Sequence, residues 1–133
     1  MNRPRYILAV NDNEALLRVI ADWLKSLGRE VRAVLTGREG LRICTEGRPA
    51  LIVLDYYLRR DGPEVMAMDF VPAFREACSG VPILVMSATD MTLTAEVVGA
   101  DDFLPIDHHR PLATLLFEKA RKLLDISDPK GKP

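Results

Sequence analysis

With 133 residues, 48% of them hydrophobic and 28% charged, the chain is sized for one domain and can fill a real core, which excludes a disordered polypeptide. A formal net charge of -1 provides no basic surface for nucleic acid or for an anionic membrane. No stretch approaches the ~20 apolar residues a bilayer crossing needs, and the apolar run after MNRPR is too short for a secretory signal.

Tyr6 to Val10 is a continuous apolar run, the pattern of a strand covered on both faces. Asn11, Asp12 and Asn13 break it and can cap a helix in which Leu16, Leu17, Ile20, Leu24 and Leu27 recur at helical spacing. Gly28 supplies the stop. Glu30 to Leu35 alternates loosely, as a strand nearer an edge would. A second helix opens at Thr36 and Gly37 and closes near Glu46, before Gly47, Arg48 and Pro49. Leu51 to Leu54 is the third strand, ended by Asp55. Tyr56 to Met66 reads as irregular loop, long enough to be a lid or partner segment or a tolerated insertion. A helix is predicted from about Met68 to Cys78, with Pro72 tolerable only in the first turn. Pro82 to Met86 forms the fourth strand and ends at Ser87. A short helix over Met91 to Val98, a brief strand over Asp102 to Pro105 and a last helix from about Pro111 to Leu124 complete the series. Residues 1–126 are expected to form one domain and 127–133 a polar tail or linker stub.

Strand and helix alternating five times predict an α/β fold, a doubly wound parallel sheet with helices on both faces. Right-handed crossovers leave only a few strand orders, and in all of them function gathers at the carboxyl ends of strands beside the switch point. The residues there are Asn11, Asp12, Asp55 and Ser87. In the order 2-1-3-4-5, the first and third strands are neighbours, so Asp12 and Asp55 would face one another. Paired carboxylates repel unless a cation lies between them, and Mg²⁺ with its oxygen ligands and retained waters suits the task. A metal-bridged aspartate is also a fair nucleophile towards phosphorus, and the Ser87 hydroxyl could donate to a phosphoryl oxygen. Taken singly, each of these residues is as readily a cap or turn former; their convergence on neighbouring strand ends carries the functional reading.

Five segments in order, YILAVNDNEALLR (Tyr6 to Arg18), LGREVRAVLTGREGL (Leu27 to Leu41), RPALIVLD (Arg48 to Asp55), VPILVMSA (Val81 to Ala88) and GADDFL (Gly99 to Leu104), resemble the receiver domain of two-component response regulators. The resemblance implies a flavodoxin-like five-stranded sheet of order 2-1-3-4-5 with five helices. It also implies Asp55 as phosphoacceptor, Ser87 as switch hydroxyl and Phe103 as aromatic switch. Mg²⁺ would be held by Asp12, Asp55 and the backbone carbonyl of Tyr57, with Asn11 acting through water. The implied partners are a histidine kinase or phosphotransfer protein and a downstream protein or output domain, with a homodimer left open and no direct contact with nucleic acid or membrane. Cys44 and Cys78 match no metal or redox spacing and read as reduced thiols in a cytoplasmic protein.

The chain departs from the family pattern in four places. Asn11 replaces the first of two acids, and Ile106 stands where the family has a lysine. Leu58-Arg59 replaces Met-Pro with extra residues through Met66, and the helix over 91–98 is short by about one turn of ~3.6 residues. The first two changes cancel in charge. They still remove a charge-assisted hydrogen bond worth ~1.5–3 kcal/mol, so phosphorylation is expected to be weak or poorly transmitted. Arg59 or Arg60 could supply the missing cation; otherwise both are solvated loop charges. His108 and His109 read as surface-loop residues. Two other functions share the fold: a receiver-like module that binds partners independently of phosphorylation, and a small cofactor binder. The second lacks a phosphate loop or a catalytic His/Ser pair.

Overall fold

The apolar runs become the middle of a sheet. The structure, a computed structural model, describes residues 5–87, 99–105 and 111–127. Its strands are β1 (Ile7–Val10), β2 (Val31–Val34), β3 (Leu51–Asp55), β4 (Ile83–Met86) and β5 (Asp102–Leu104). All pair in parallel in the order β2-β1-β3-β4-β5, as expected. Every residue of β1, β3 and β4 is buried, whereas edge strand β2 buries only Val34. This contrast accounts for the looser pattern of β2 in the sequence.

Four helices are described: α1 (Glu14–Lys25), α2 (Gly37–Glu46), α3 (Ala67–Ala77) and α4 (Leu112–Ser127). The helix expected over 91–98, the position of Ile106, both histidines and the tail from 128 lie outside the described residues. In α1 the buried positions Leu17, Ile20, Ala21 and Leu24 follow the i, i+3, i+4, i+7 spacing of a single face. Asn13 caps its start by accepting the Leu16 N–H at 3.0 Å, and Gly28, at φ 83°, follows its end.

Alternate residues of the central strands feed two cores. Leu8, Val10, Ile52 and Leu54 pack with Val71 and Phe74 of α3 and Cys44 of α2. Ile7, Ala9, Leu51 and Val53 pack with α1 and with Leu115, Leu116, Ala120 and Leu123 of α4. On the first side α2 and α3 approach closely because Gly37 has no side chain. A Cβ there would stand 2.7–2.8 Å from the Phe70 ring.

Two helix boundaries differ from expectation. α3 starts one residue early, at Ala67, because Asp69 reaches back to accept the Met66 N–H at 2.8 Å. Pro72 therefore sits in the second turn rather than the first, on the exposed side, where the hydrogen bond it cannot make costs least. The last helix runs past Leu124 to Ser127, whose hydroxyl donates to the Ala50 carbonyl at 2.8 Å. The Ser127 carbonyl accepts from Arg5 at 2.8 Å, and Arg29 in turn donates to the Arg5 carbonyl at 2.9 Å. These arginines tie the amino-terminal edge of the sheet together, opposite the functional end.

Candidate functional site

The functional end is assembled by register. Val10 pairs with Leu54, so the next residues, Asn11 and Asp55, stand side by side where β1 and β3 finish. Asp55 pairs on its other side with Met86, the residue before Ser87. Asn11, Asp55 and Ser87 are 1%, 6% and 1% exposed, so three polar side chains line the end of an otherwise apolar sheet. Asp12, one step further out, is half-buried.

Asp55 and Asp12 are in electrostatic contact, as their facing strand ends require. Burial pushes the Asp55 carboxyl from its ordinary 3.8 up to about 7. Asp12 adds to the rise, by repulsion and through a side-chain hydrogen bond, while the Tyr56 amide and the Arg59 charge pull it down. The site thus holds one more negative charge than its surroundings readily stabilise, a deficit that a cation would relieve.

The donor set suits a small hard ion. Among the described residues no group of three or more His, Cys, Asp or Glu side chains gathers anywhere. A metal here would have two carboxylates, backbone oxygen and water as ligands, the habit of Mg²⁺. Tyr57 lies two residues beyond the end of β3. It faces Met66 in an antiparallel bridge whose bonds run from Leu58 N–H to the Val65 carbonyl (3.0 Å) and from Ala67 N–H to the Tyr56 carbonyl (2.7 Å).

Asn11 is oriented by the turn that follows it. Its Oδ1 accepts the Asn13 N–H at 2.9 Å, which turns the amide so that its oxygen serves the turn. The buried Nδ2 has no hydrogen-bond partner among the described residues. An amide held this way offers the site a donor rather than a ligand oxygen, and a buried donor left unmatched costs about 1–3 kcal/mol.

The loop from Tyr56 to Met66 is anchored at several points. Leu58 is fully buried in the core between the sheet and α3. Asp61 reaches the start of α2, where its carboxylate accepts the Gly37 N–H at 2.7 Å and the Arg38 N–H at 3.2 Å. Thr36 completes the cap by accepting the Glu39 N–H at 3.1 Å. An anion at a helix start satisfies its unpaired amides and complements its dipole. The sequence reading missed this role because Asp61 lies 24 residues from the helix it caps, and one acid in a charged loop gives no local sign of it.

Both loop arginines turn towards the site. The Arg59 N–H holds Asp12 Oδ2 at 3.0 Å, while its guanidinium lies over the Tyr57 ring, 4.2 Å from the centroid. Arg60 donates from Nε to the Asp12 carbonyl at 2.7 Å. Both stay exposed, as the reading of solvated loop charges has it, while making these contacts to Asp12 and Tyr57. Phe103 pairs with Val85 and is already packed in the core, 6% exposed, while the Ser87 N–H donates to the Leu104 carbonyl at 3.0 Å. Ser87 and Phe103 are thus brought to adjoining strand ends.

A flavodoxin-like sheet with a buried carboxylate beside a half-buried one at its switch point defines a class of small α/β proteins that work at that rim. Within it, this chain belongs to the response regulator receiver domain family, whose model matches residues 7–110. It is 36% identical over 104 residues to the transcriptional regulatory protein PrrA of Mycobacterium tuberculosis, an alignment covering 76% of this chain and 42% of that protein. The chain therefore spans less than half the length of that relative. Among solved structures, a CheY-like receiver domain protein from Methanospirillum hungatei superposes with a TM-score of 0.76 at 22% identity, covering 97% of this chain and all of that one. The response regulator TrrA of Thermotoga maritima, solved in complex with Mg²⁺-BeF, does so with a TM-score of 0.72 at 21% identity, covering 90% of this chain and 98% of its own.

Proposed function

We propose that this receiver domain takes a phosphoryl group on Asp55 from the phosphohistidine of a histidine kinase or phosphotransfer protein, with Mg²⁺ bound between Asp12 and Asp55. The observation that carries the reading is a buried carboxylate, Asp55, beside a second, Asp12, at the switch point of a receiver fold. Bound Mg²⁺ would supply positive charge that keeps Asp55 ionised and screens the incoming phosphoryl oxygens. An Asp55 Oδ forms the new bond to phosphorus as the P–N bond breaks, and the departing imidazole keeps that electron pair and takes a proton. Asp12 is held ready for the ion by the Arg59 N–H. In this reading the Ser87 hydroxyl would donate to the phosphoryl group, and Phe103 would follow it from one residue before the Leu104 carbonyl that receives the Ser87 amide.

Because Ser87 and Phe103 are already buried, the change on phosphorylation would be a repacking of inward-facing groups. The rearranged surface would alter the affinity for a downstream protein or output domain. In this reading the domain acts as an acceptor in the cytoplasm, where buried Cys44 and Cys78 stay reduced. The test is incubation with acetyl phosphate and Mg²⁺ followed by intact-mass measurement. A hydroxylamine-labile gain of one phosphoryl group, lost in Asp55→Asn, is the expected result. No adduct, or one that survives in Asp55→Asn, would overturn the proposal and leave phosphorylation-independent partner binding as the working alternative.

A further inference from the structure

We propose that Arg59 is the cationic arm of this site, its guanidinium moving from the Tyr57 ring onto the oxyanion bound at Asp55. The inference rests on the reading of Asp55 as phosphoryl acceptor and concerns the counter-charge that the chain uses in place of a lysine at Ile106. Two geometric observations meet at this residue. The main chain of Arg59 is fixed at the rim of the site by its N–H bond to Asp12 Oδ2 at 3.0 Å. Its guanidinium rests 4.2 Å from the ring centroid of Tyr57, two residues from Asp55, and among the described residues it makes no ion pair.

An arginine held by its backbone but parked on an aromatic face can be reoriented at little cost. A cation–π contact at an exposed site is weak beside a bidentate hydrogen bond to an oxyanion. Arg60 is less suited, because its Nε is engaged by the Asp12 carbonyl at 2.7 Å. The same guanidinium competes with Mg²⁺ for the field of the two carboxylates. Arg59 should therefore weaken binding of the metal alone and strengthen binding of the oxyanion that follows. A purely structural residue would not produce these opposite signs.

The experiment titrates the whole domain with Mg²⁺ alone and then, at saturating Mg²⁺, with beryllofluoride as phosphoryl mimic, using Trp23 fluorescence or ¹⁹F NMR. Arg59→Ala keeps the main-chain bond to Asp12. It is expected to weaken beryllofluoride binding about tenfold or more, the equivalent of one charge-assisted hydrogen bond, while Mg²⁺ alone binds equally well or more tightly. Arg59→Lys should recover part of the loss. Wild-type binding of beryllofluoride with no change in Arg59→Ala would overturn this inference and leave the acceptor role intact. Parallel weakening of Mg²⁺ and beryllofluoride would make Arg59 structural and overturn it as well. Failure of the wild type to take up beryllofluoride would overturn both proposals.

Discussion

Replacing Asp55 with Asn should stabilise the metal-free domain, and by an amount that depends on pH in a defined way. The folded state raises the Asp55 carboxyl from 3.8 to about 7, so it binds that proton more tightly than the unfolded chain does. The favourable contribution is complete below about pH 4 and is lost as pH rises through 7. Above that point the folded protein carries a buried, poorly compensated anion. A shift of about three units at ~1.4 kcal/mol each sets a ceiling near 4 kcal/mol, and relaxation around the site should reduce the measured value to about 1–3 kcal/mol. Asn is neutral at every pH and avoids this cost. Urea unfolding of both proteins in EDTA, followed by Trp23 fluorescence, should show a clearly smaller difference near pH 4.5 than at pH 8. At pH 8 the variant should be more stable, and saturating Mg²⁺ should narrow the gap by stabilising the wild type. A difference independent of pH, or a variant less stable at pH 8, would refute the reasoning.

Asp61→Ala removes the acceptor of two α2 amides and should cost about 1–2 kcal/mol in urea unfolding, with faster hydrogen exchange at Gly37 and Arg38. Unchanged exchange there would show that water replaces the carboxylate without loss. Gly37→Ala places a methyl group against the Phe70 ring and should destabilise by about 1–3 kcal/mol in the same assay, with Phe70→Leu restoring part of the loss. Asn11→Asp adds a third carboxylate to the site and should tighten Mg²⁺ about tenfold by isothermal titration calorimetry, ~1.4 kcal/mol in binding. Equal affinity would mean that position 11 faces away from the ion.

The convergence of Asp12, Asp55 and Ser87 was legible in the sequence because each follows a continuous apolar run. A parallel sheet delivers such residues to one rim whatever the loops do. Asn11 was legible as a residue of the site but not as a donor. Its orientation depends on a single local bond to the Asn13 amide, a choice between two ends of an amide that composition does not encode. Leu58 looked like part of an irregular stretch, since one apolar residue has no period, yet its full burial pins the loop from within. The end of α4 was set three residues short because its last turn is held by Ala50 and Arg5, partners far away in sequence. Local pattern thus reported on strands and helix faces, while the groups that orient the site depend on contacts the chain makes only after folding.

The Asp61 cap means that the loop bearing Arg59 shares its footing with α2. A tug on that loop, such as an anion would exert by drawing Arg59 inward, would be felt at the Gly37 and Arg38 amides through one rigid carboxylate. If Asp55 accepts a phosphoryl group as proposed, its state would have an exit along the β2 side of the molecule as well as towards β5. A partner seated on α2 could read the state of Asp55 without ever touching Phe103.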